Sequence, residues 1–499
     1  MKQVSEKDYN SIRVECDLIL FEKPSDKFRQ GNNLLHVIRE HPIFLSQYHP
    51  VIDNNFFKFH FLLLSRLTLN ILKIPLNFFQ SILQSFHGNE EYNIKKNISS
   101  IFFSHLLNNS FIKHQKDFYF SSLPEKFVSP NNDYMIFYLN YTNSSSRKIN
   151  SYFKKNKKNK IALPKTLSLR EEFKISFGLL KDGFYLWRKS YDYSGIKMKL
   201  RKLAAVEAIS SSSHFSIRMA SFTEKLVFNY NPDYIFTTYE GHAWERLVYF
   251  SAKKKNKNIK NIGYQHAVIF ENQHAIKRKL HKNFNPDFII TSGENGRSIL
   301  EKSKIIPKSK IIIFGSPRTK FKKANFIPFN DTKRGILFLP EGDYKECRLM
   351  LELAFEVSKL LRNFSIIIRF HPLISVDRLS KQYKLMLAKN KNLEFSNLAL
   401  EKDLERANYA IYRGTSAIIK ALEHGLYPCY YSIINEIPIN PLHSIQDKID
   451  FISNSNDLSR IILMNEVKKK RKLKSIQNHI NKYFSQIDYK SILKIKEFK

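Results

Sequence analysis

The pattern of hydrophobic and polar positions changes near residue 230. Beyond that point, short runs of β-branched and aromatic residues alternate with segments of helical periodicity, and residues 344–362 repeat apolar side chains every three to four positions. The strand-like runs lie at 234–238, 261–265, 288–291, 310–314, 335–339, 365–370, 409–412 and 428–431. Strands that alternate with helices predict parallel sheets and a doubly wound α/β fold.

The pattern before residue 230 is less regular. It predicts a strand at 17–21, apolar helices at 56–86 and 99–107, and a strand at 133–140. Helical patterns then continue to about residue 228.

The most apolar stretch of the chain, 59–86, contains Arg66, Lys73 and Pro75. These interruptions make it a poor candidate for a membrane span. A buried pair of helices is the favoured interpretation, and a helix lying at a membrane interface is the alternative.

Composition narrows the class of protein. Most of the net charge of +37 is best explained by a genome rich in Lys, Asn and Ile codons, and a polyanionic partner or an anionic bilayer is the alternative. The lysines are spread along the chain without a nucleic-acid-binding motif, so no specific nucleic acid is expected. Cys16, Cys347 and Cys429 form no CxxC pair, and the N-terminus lacks the apolar core of a signal peptide. Both features predict a cytoplasmic protein.

Two candidate catalytic residues follow predicted strands in the middle of the chain. Glu240 precedes Gly241 after the strand at 234–238, and His266 ends the segment GYQH. Ligands of open α/β sheets bind outside the carboxyl ends of the strands, so either side chain could act as a general base. The structural alternatives are a helix cap or lysine pair for Glu240 and a buried hydrogen bond for His266.

Candidate donor-binding residues follow later strands. Pro372 ends the strand at 365–370 and would fix His371 at its carboxyl edge. Glu341 follows the strand at 335–339 and could contact a ribose or base, or form a turn. Arg318, in the segment GSPR, could reach a phosphate or lie on the surface.

A second donor-binding group lies at the start of a predicted helix, 416–424. Arg413 and Gly414 follow the strand at 409–412, and Thr415 or Ser416 would cap the helix. The free backbone amides and the positive end of the helix dipole would then form a phosphate site. Capping without a ligand is the alternative. The sequence has no HExxH, CxxC or P-loop motif, so neither a metal site nor ATP hydrolysis is expected.

The ordered set Glu240-Gly241, His371-Pro372 and Thr415-Ser416 resembles bacterial sialyltransferases and related GT-B-fold transferases. The resemblance covers residues 230–435 and implies a carboxylate base, with phosphate binding by the later two motifs. The segment GYQH with His-Pro is also similar to CDP-glycerol glycerophosphotransferases of teichoic-acid synthesis, which implies His266 as the base. TYEGHAWER, GYQHAV and GSPR resemble surface-carbohydrate transferases more broadly.

This resemblance implies a GT-B-like α/β fold with two facing Rossmann-like, doubly wound domains and an N-terminal extension. Residues 1–125 would form the extension and part of the first domain, and 126–280 the acceptor-side domain. Residues 281–455 would bind the nucleotide donor, and the helices of 456–499 would cross back to the first domain.

The expected function is metal-independent transfer of a sugar, with a CMP-activated acidic sugar as one candidate, from a nucleotide donor. The acceptor would be a growing surface polysaccharide, such as lipopolysaccharide or capsule, or a lipid-linked glycan at the inner membrane face. No cofactor is expected besides the nucleotide-sugar co-substrate. The alternatives are a CDP-polyol phosphotransferase and a non-catalytic polyanion-binding protein. The donor, the linkage and the oligomeric state stay open.

Overall fold

The computed structural model describes residues 4–53, 55–86, 98–128, 133–317, 327–330, 333–371, 374 and 390–497. Two predicted donor-binding residues, Arg318 and Pro372, lie outside these ranges.

The first sheet has seven parallel strands within the described residues, in the order β3-β2-β1-β4-β5-β6-β7. They are β1 Ile98–Leu106, β2 Asp133–Asn140, β3 Lys160–Ala162, β4 Tyr234–Thr238, β5 Lys260–Gln265, β6 Phe288–Thr291 and β7 Ile311–Ile313.

The second sheet has six parallel strands in the same part of the structure, in the order β10-β9-β8-β11-β12-β13. They are β8 Gly335–Leu339, β9 Ser365–Ile368, β10 Leu393–Phe395, β11 Tyr409–Tyr412, β12 Tyr427–Tyr431 and β13 Asp450–Ile452. In both sheets the first strand is central and the fourth lies on its other side, as in dinucleotide-binding folds. The predicted fold class is therefore confirmed.

Helices cover both sheets. Those before the second sheet are α1 Glu6–Glu22, α2 Lys27–Gly31, α3 Pro42–Leu45, α4 His49–Ile52, α5 Phe56–Phe86, α6 Leu123–Phe127, α7 Ser146–Lys155, α8 Leu169–Lys189, α9 Gly195–Ala208, α10 Ser211–Tyr230, α11 Ala243–Lys255, α12 His274–Lys277 and α13 Glu294–Ser303. Those after the start of the second sheet are α14 Tyr344–Leu360, α15 Leu400–Arg406, α16 Ala417–Glu423, α17 Ser455–Leu463, α18 Glu466–Ile480 and α19 Tyr489–Leu493.

The hydrophobic core follows this division. One cluster lies around the second sheet and one on each face of the first sheet. A further cluster joins the N-terminal helices to α8 and α9. The C-terminal end of the chain returns to the first sheet, where Ile492 and Ile495 are buried beside Phe288 and Phe314.

Two secondary-structure predictions are wrong. Residues 17–21 are part of α1, in which Ile12, Cys16 and Ile19 are buried at helical spacing. Residues 99–107, predicted as a helix, overlap β1, which runs through the centre of the first sheet. A central strand is covered on both faces, so its continuous apolar run has no alternation to distinguish it from a buried helix.

The predicted boundary at 280/281 falls inside the first sheet, because β6 and β7 pair alongside β5. The buried helix pair predicted for 59–86 is also wrong. The segment is part of the single helix α5, whose outer face is exposed to solvent.

Candidate active site

In the first sheet the strand order reverses between β1 and β4, and titratable side chains gather at this point. His105, near the end of β1, places Nε2 2.8 Å from Oγ1 of Thr238 at the end of β4. His266 follows β5, and its ring centroid lies 4.7 Å from that of Tyr119. The Tyr119 ring also lies 5.5 Å from the ring of His105. The ends of β1 and β5, on either side of β4, therefore bring His105 and His266 to the same aromatic ring, that of Tyr119.

Glu240 and His242 form a pair in the loop after β4. Nε2 of His242 lies 3.3 Å from Oε2 of Glu240, and the side chains are 25% and 28% exposed. Burial raises the pKa of Glu240, but the hydrogen bond to His242 and the nearby His266 and Arg39 outweigh it and hold the pKa well below its usual range. Burial lowers the pKa of His242, but the bond to Glu240 dominates and raises it. An ionised carboxylate thus faces an imidazole whose protonated form it stabilises.

The loop that carries this pair is fixed by Glu245 at the start of α11. Its buried carboxylate accepts hydrogen bonds from the backbone N–H groups of Glu240 at 3.0 Å, Gly241 at 2.7 Å and His242 at 2.9 Å. Gly241 has a φ of +88°, and a Cβ there would lie 2.4 Å from the carbonyl oxygen of Ala275. Glycine is therefore required, and Glu245 acts as a positioning residue.

In the second sheet the strand order reverses between β8 and β11, where glycines bring side chains close together. A Cβ on Gly414, after β11, would lie 3.0 Å from Oε1 of Glu341, which follows β8. A Cβ on Gly342 would lie 3.0 Å from Nδ1 of His371, which follows β9. Burial raises the pKa of Glu341, although Arg39 opposes this shift. The predicted donor residues Glu341, His371 and Gly414 thus share one crevice.

The other predicted donor residues have different surroundings. Arg413 is buried, and its guanidinium pairs with Glu346 at 2.7 Å and with Glu436. Oγ1 of Thr415 accepts a hydrogen bond from the backbone N–H of Ala417 at 3.2 Å. Ser416 precedes α16 in a helical conformation without a side-chain cap bond. Thr415 therefore makes the capping contact, and α16 begins at Ala417.

The N-terminal segment 37–41 lies between the two groups of strand ends. The positive charge of Arg39 lowers the pKa of Glu240 on one side and of Glu341 on the other. Nε2 of His41 lies 3.6 Å from Oε2 of Glu341, and Oε1 of Glu40 accepts a hydrogen bond from the Asn272 backbone at 2.7 Å. Burial, with Arg39 and Arg413, lowers the pKa of His41 to about 3, so its imidazole is neutral.

Sequence reasoning missed Arg39, His41, His105 and His242. The cluster of polar residues in HVIREH, at 36–41, was the available signal for the first two. His242 stands two residues after Glu240 and belongs to the same loop. Among the described residues, no group of three or more His, Cys, Asp or Glu side chains could hold a metal ion.

The chemistry that this arrangement permits has two parts. In the first-domain cluster of His105, Glu240, His242 and His266, the Glu240–His242 pair can accept and hold a proton. The second-domain crevice presents glycine backbone beside His371, and Arg39 adds a positive charge near both. Such a cleft suits an anionic ligand next to a hydroxyl that loses its proton.

No protein-family model matches the chain, and no curated protein matches it significantly. Solved structures of similar fold include the UDP-GlcNAc 2-epimerase of Methanocaldococcus jannaschii, at 15% identity, with a TM-score of 0.42 over 80% of this chain and 99% of that one. The UDP-GlcNAc 2-epimerase of Neisseria meningitidis is 10% identical, with a TM-score of 0.43 over 80% and 98%. A lipopolysaccharide outer core galactosyltransferase is 10% identical, with a TM-score of 0.40 over 80% and 99%. The fold class itself rests on the strand order of the two sheets.

Proposed function

We propose that the protein transfers a sugar from a nucleotide donor to a hydroxyl of a glycan or glycolipid, without a metal ion. The observation that carries this proposal is the pairing of two unlike strand-end clusters across Arg39. One cluster holds titratable groups, and the other holds glycine backbone and His371 at the point where an α/β sheet binds its ligand.

The reaction would proceed as follows. The acceptor hydroxyl attacks the anomeric carbon of the donor, and the bond from that carbon to the phosphate oxygen breaks. The hydroxyl proton passes to Glu240, to its partner His242 or to His266. The nucleoside phosphate leaves with the bond electrons, and Arg39, His371 and the backbone amides near Gly414 stabilise its charge.

Residues that follow strands of the second domain would bind the nucleotide donor. Glu341 after β8 would accept a hydrogen bond from a ribose or base, and the missing side chains of Gly342 and Gly414 let His371 and Glu341 lie close to the backbone. Thr415 and Ser416 contribute the turn before α16. Arg318 and Pro372 keep their predicted roles as further donor contacts.

A nucleotide screen tests this proposal. Thermal shifts with CMP, CDP, UDP, GDP and TDP should single out one nucleotide, and His371→Ala should weaken its binding while the protein stays folded. Equal affinity in the parent and in His371→Ala would remove His371 from the donor site. Sugar transfer should survive EDTA, and a loss that Mg²⁺ or Mn²⁺ restores would reject the metal-independent mechanism.

The second candidate is transfer of a polyol phosphate from a CDP-linked donor. His266 favours it, because the ring stands at the end of β5 against Tyr119, close enough to influence Glu240. In that reaction the hydroxyl attacks phosphorus, CMP leaves, and the product gains a phosphodiester. Phosphorus NMR of the modified acceptor separates the two reactions, since sugar transfer adds no phosphorus.

The acceptor would belong to a cell-surface polysaccharide pathway or be lipid-linked, and a CMP-activated acidic sugar is one candidate donor. The corresponding location is the cytoplasmic face of a membrane.

A further inference from the structure

The helix α5 turns a long apolar face toward solvent. Its 31 residues extend about 46 Å at about 1.5 Å per residue. Large side chains at least 58% exposed on this face include Phe57, Phe61, Leu64, Leu72, Leu76 and Phe79. Contiguous exposed apolar surface of this extent marks an interaction site.

The opposite side of α5 is fixed to the first domain. Phe59 and Leu63 belong to the core formed with α8 and α9. Nδ2 of Asn70 donates to the carbonyl of Val206 at 3.0 Å, and Oγ of Ser81 donates to the carbonyl of Leu167 at 2.6 Å. By length and composition α5 could cross a membrane, and 17% of its most apolar window is buried. These contacts along its length hold it flat against the domain instead.

The neighbouring helix α8 extends the exposed surface. Leu169, Phe173, Phe177, Leu180 and Phe184 are 44–70% exposed. Their spacing of three and four residues places them on one side of the helix. The ring of Phe173 stacks on that of Phe78 in α5, with centroids 6.4 Å apart. The exposed stripes of the two helices therefore form one surface, which we call the α5/α8 face.

The charges of α5 and α8 that remain outside ion pairs with acidic partners on these helices are positive. Helix α5 contains no Asp or Glu. The acidic residues of α8 are paired: Glu172 with Arg218, Asp182 with Arg29, and Glu171 with Lys225. The exposed cations of α8 are Arg170, Lys174, Lys181 and Arg188. The helix therefore presents aromatic side chains bordered by positive charge.

We propose that the α5/α8 face docks on a bilayer containing anionic phospholipids, with both helices lying in the plane of the interface. Apolar side chains would enter the headgroup region, and the flanking cations would contact lipid phosphates. A second copy of the chain is a poorer partner, because a symmetric contact would bring the cations of the two α8 helices together. The docking is independent of the transfer chemistry, since it uses none of the cleft residues.

Vesicle cosedimentation tests the apolar part of this face. The full chain should bind phosphatidylcholine vesicles that contain phosphatidylglycerol and should bind pure phosphatidylcholine weakly. The double variant Phe177→Ser/Phe184→Ser should lower the partition coefficient at least about tenfold, because two aromatic side chains no longer leave water. The matched control, Ile434→Ser/Leu463→Ser, changes two exposed apolar residues of the second domain and should bind like the parent.

Charge reversal tests the second part. Lys174→Glu/Lys181→Glu should abolish the preference for anionic vesicles, whereas Lys468→Glu/Lys474→Glu, two exposed lysines of α18, should keep it. Equal losses in both charge variants would show a nonspecific effect of net charge and overturn the proposal. So would parental vesicle binding by Phe177→Ser/Phe184→Ser. A parent that is dimeric by light scattering, and monomeric when these phenylalanines are replaced, would assign the face to a second copy.

Discussion

The two halves of the cleft share one strand order but carry different residues at the strand ends. The first sheet ends in groups that titrate, with Glu240 and His242 paired and partly open to solvent. The second sheet ends in Gly342 and Gly414, beside an arginine, Arg413, that is buried in ion pairs.

Under the proposed function, this difference would separate two chemical tasks within one topology. A proton acceptor needs a side chain whose pKa is set by its neighbours and that an acceptor hydroxyl can reach. A phosphate site needs backbone that a ligand can approach and a loop that does not rearrange. The ion pairs of Arg413 would keep the loop from rearranging, because they anchor the segment that follows β11.

The largest effect is expected in the first half of the cleft. Glu240→Gln should lower turnover about 10²–10⁴-fold, because it removes either the base or the carboxylate that holds His242. His242→Asn and His266→Asn, measured at saturating donor beside it, show which group takes the proton. Nucleotide affinity, which the proposed function assigns to the other half, should be unchanged in all three variants.

The pattern of losses decides the assignment. A large loss in Glu240→Gln with a smaller one in His242→Asn identifies Glu240 as the base. Equal losses in both identify His242, oriented by Glu240. If Glu240→Gln keeps near-parental turnover while His266→Asn loses it, His266 is the base and the phosphotransferase candidate gains support.

The second half of the cleft should respond in stability. Arg413→Met leaves the buried Glu346 and the partly buried Glu436 without their partner, which should lower the free energy of unfolding by about 3–5 kcal/mol. Chemical denaturation measures this change. Arg460→Met is the matched control, since Arg460 pairs with Asp457 on the surface, and should cost at most about 1 kcal/mol. Unchanged stability with lost nucleotide affinity would instead restore the phosphate contact predicted for Arg413.

The sequence predicted most strands of both sheets, but it missed the short strands β3, β10 and β13 and predicted β1 as a helix. Strands such as β8 and β11 are short apolar runs between turns and periodic helices, so their class could be read locally. The N-terminal region failed for a physical reason. Strand β1 is covered on both faces and therefore lacks the alternation of apolar and polar residues that marks a strand. Residues 17–21 of α1 resemble a short strand unless the helical spacing of apolar residues from Ile12 onward is taken into account.

The candidate site likewise combines residues that local sequence patterns predict with residues that only tertiary packing brings there. Glu240, His371 and Gly414 follow predicted strands, and strand ends of parallel sheets converge at one edge. Arg39 and His41 belong to a segment far away in the sequence, so the polar cluster at 36–41 marks them as candidates but does not indicate that they pack between the two sheets. Arg413 was found by position, but its partner Glu346 lies on α14, so its burial in an ion pair depends on tertiary contacts.

A smaller effect should test the phosphate side. Thr415→Glu places a carboxylate at the turn before α16 and should weaken nucleotide binding about tenfold, or about 1.4 kcal/mol, by repelling the phosphates. Thr415→Ser keeps the hydroxyl that accepts from Ala417 and should bind like the parent. Calorimetric titration measures both, and parental affinity in Thr415→Glu would move the phosphates away from this turn.

The smallest effect is a pH dependence that belongs to the first half alone. The lowered pKa of Glu240 contributes stability above its ordinary value of 4.5, which is lost as the pH falls. The raised pKa of His242 contributes stability below its ordinary value of 6.5, which is lost as the pH rises through the folded value. The pair is therefore strongest between these two values.

The difference in Tm between the parent and Glu240→Gln should be a few degrees near about pH 6 and should shrink toward about pH 9, because His242 becomes neutral. Thr415→Ser should show no such trend. A difference in Tm that is the same at both pH values would mean that Glu240 and His242 are not coupled, and the division of tasks across the cleft would lose its electrostatic basis.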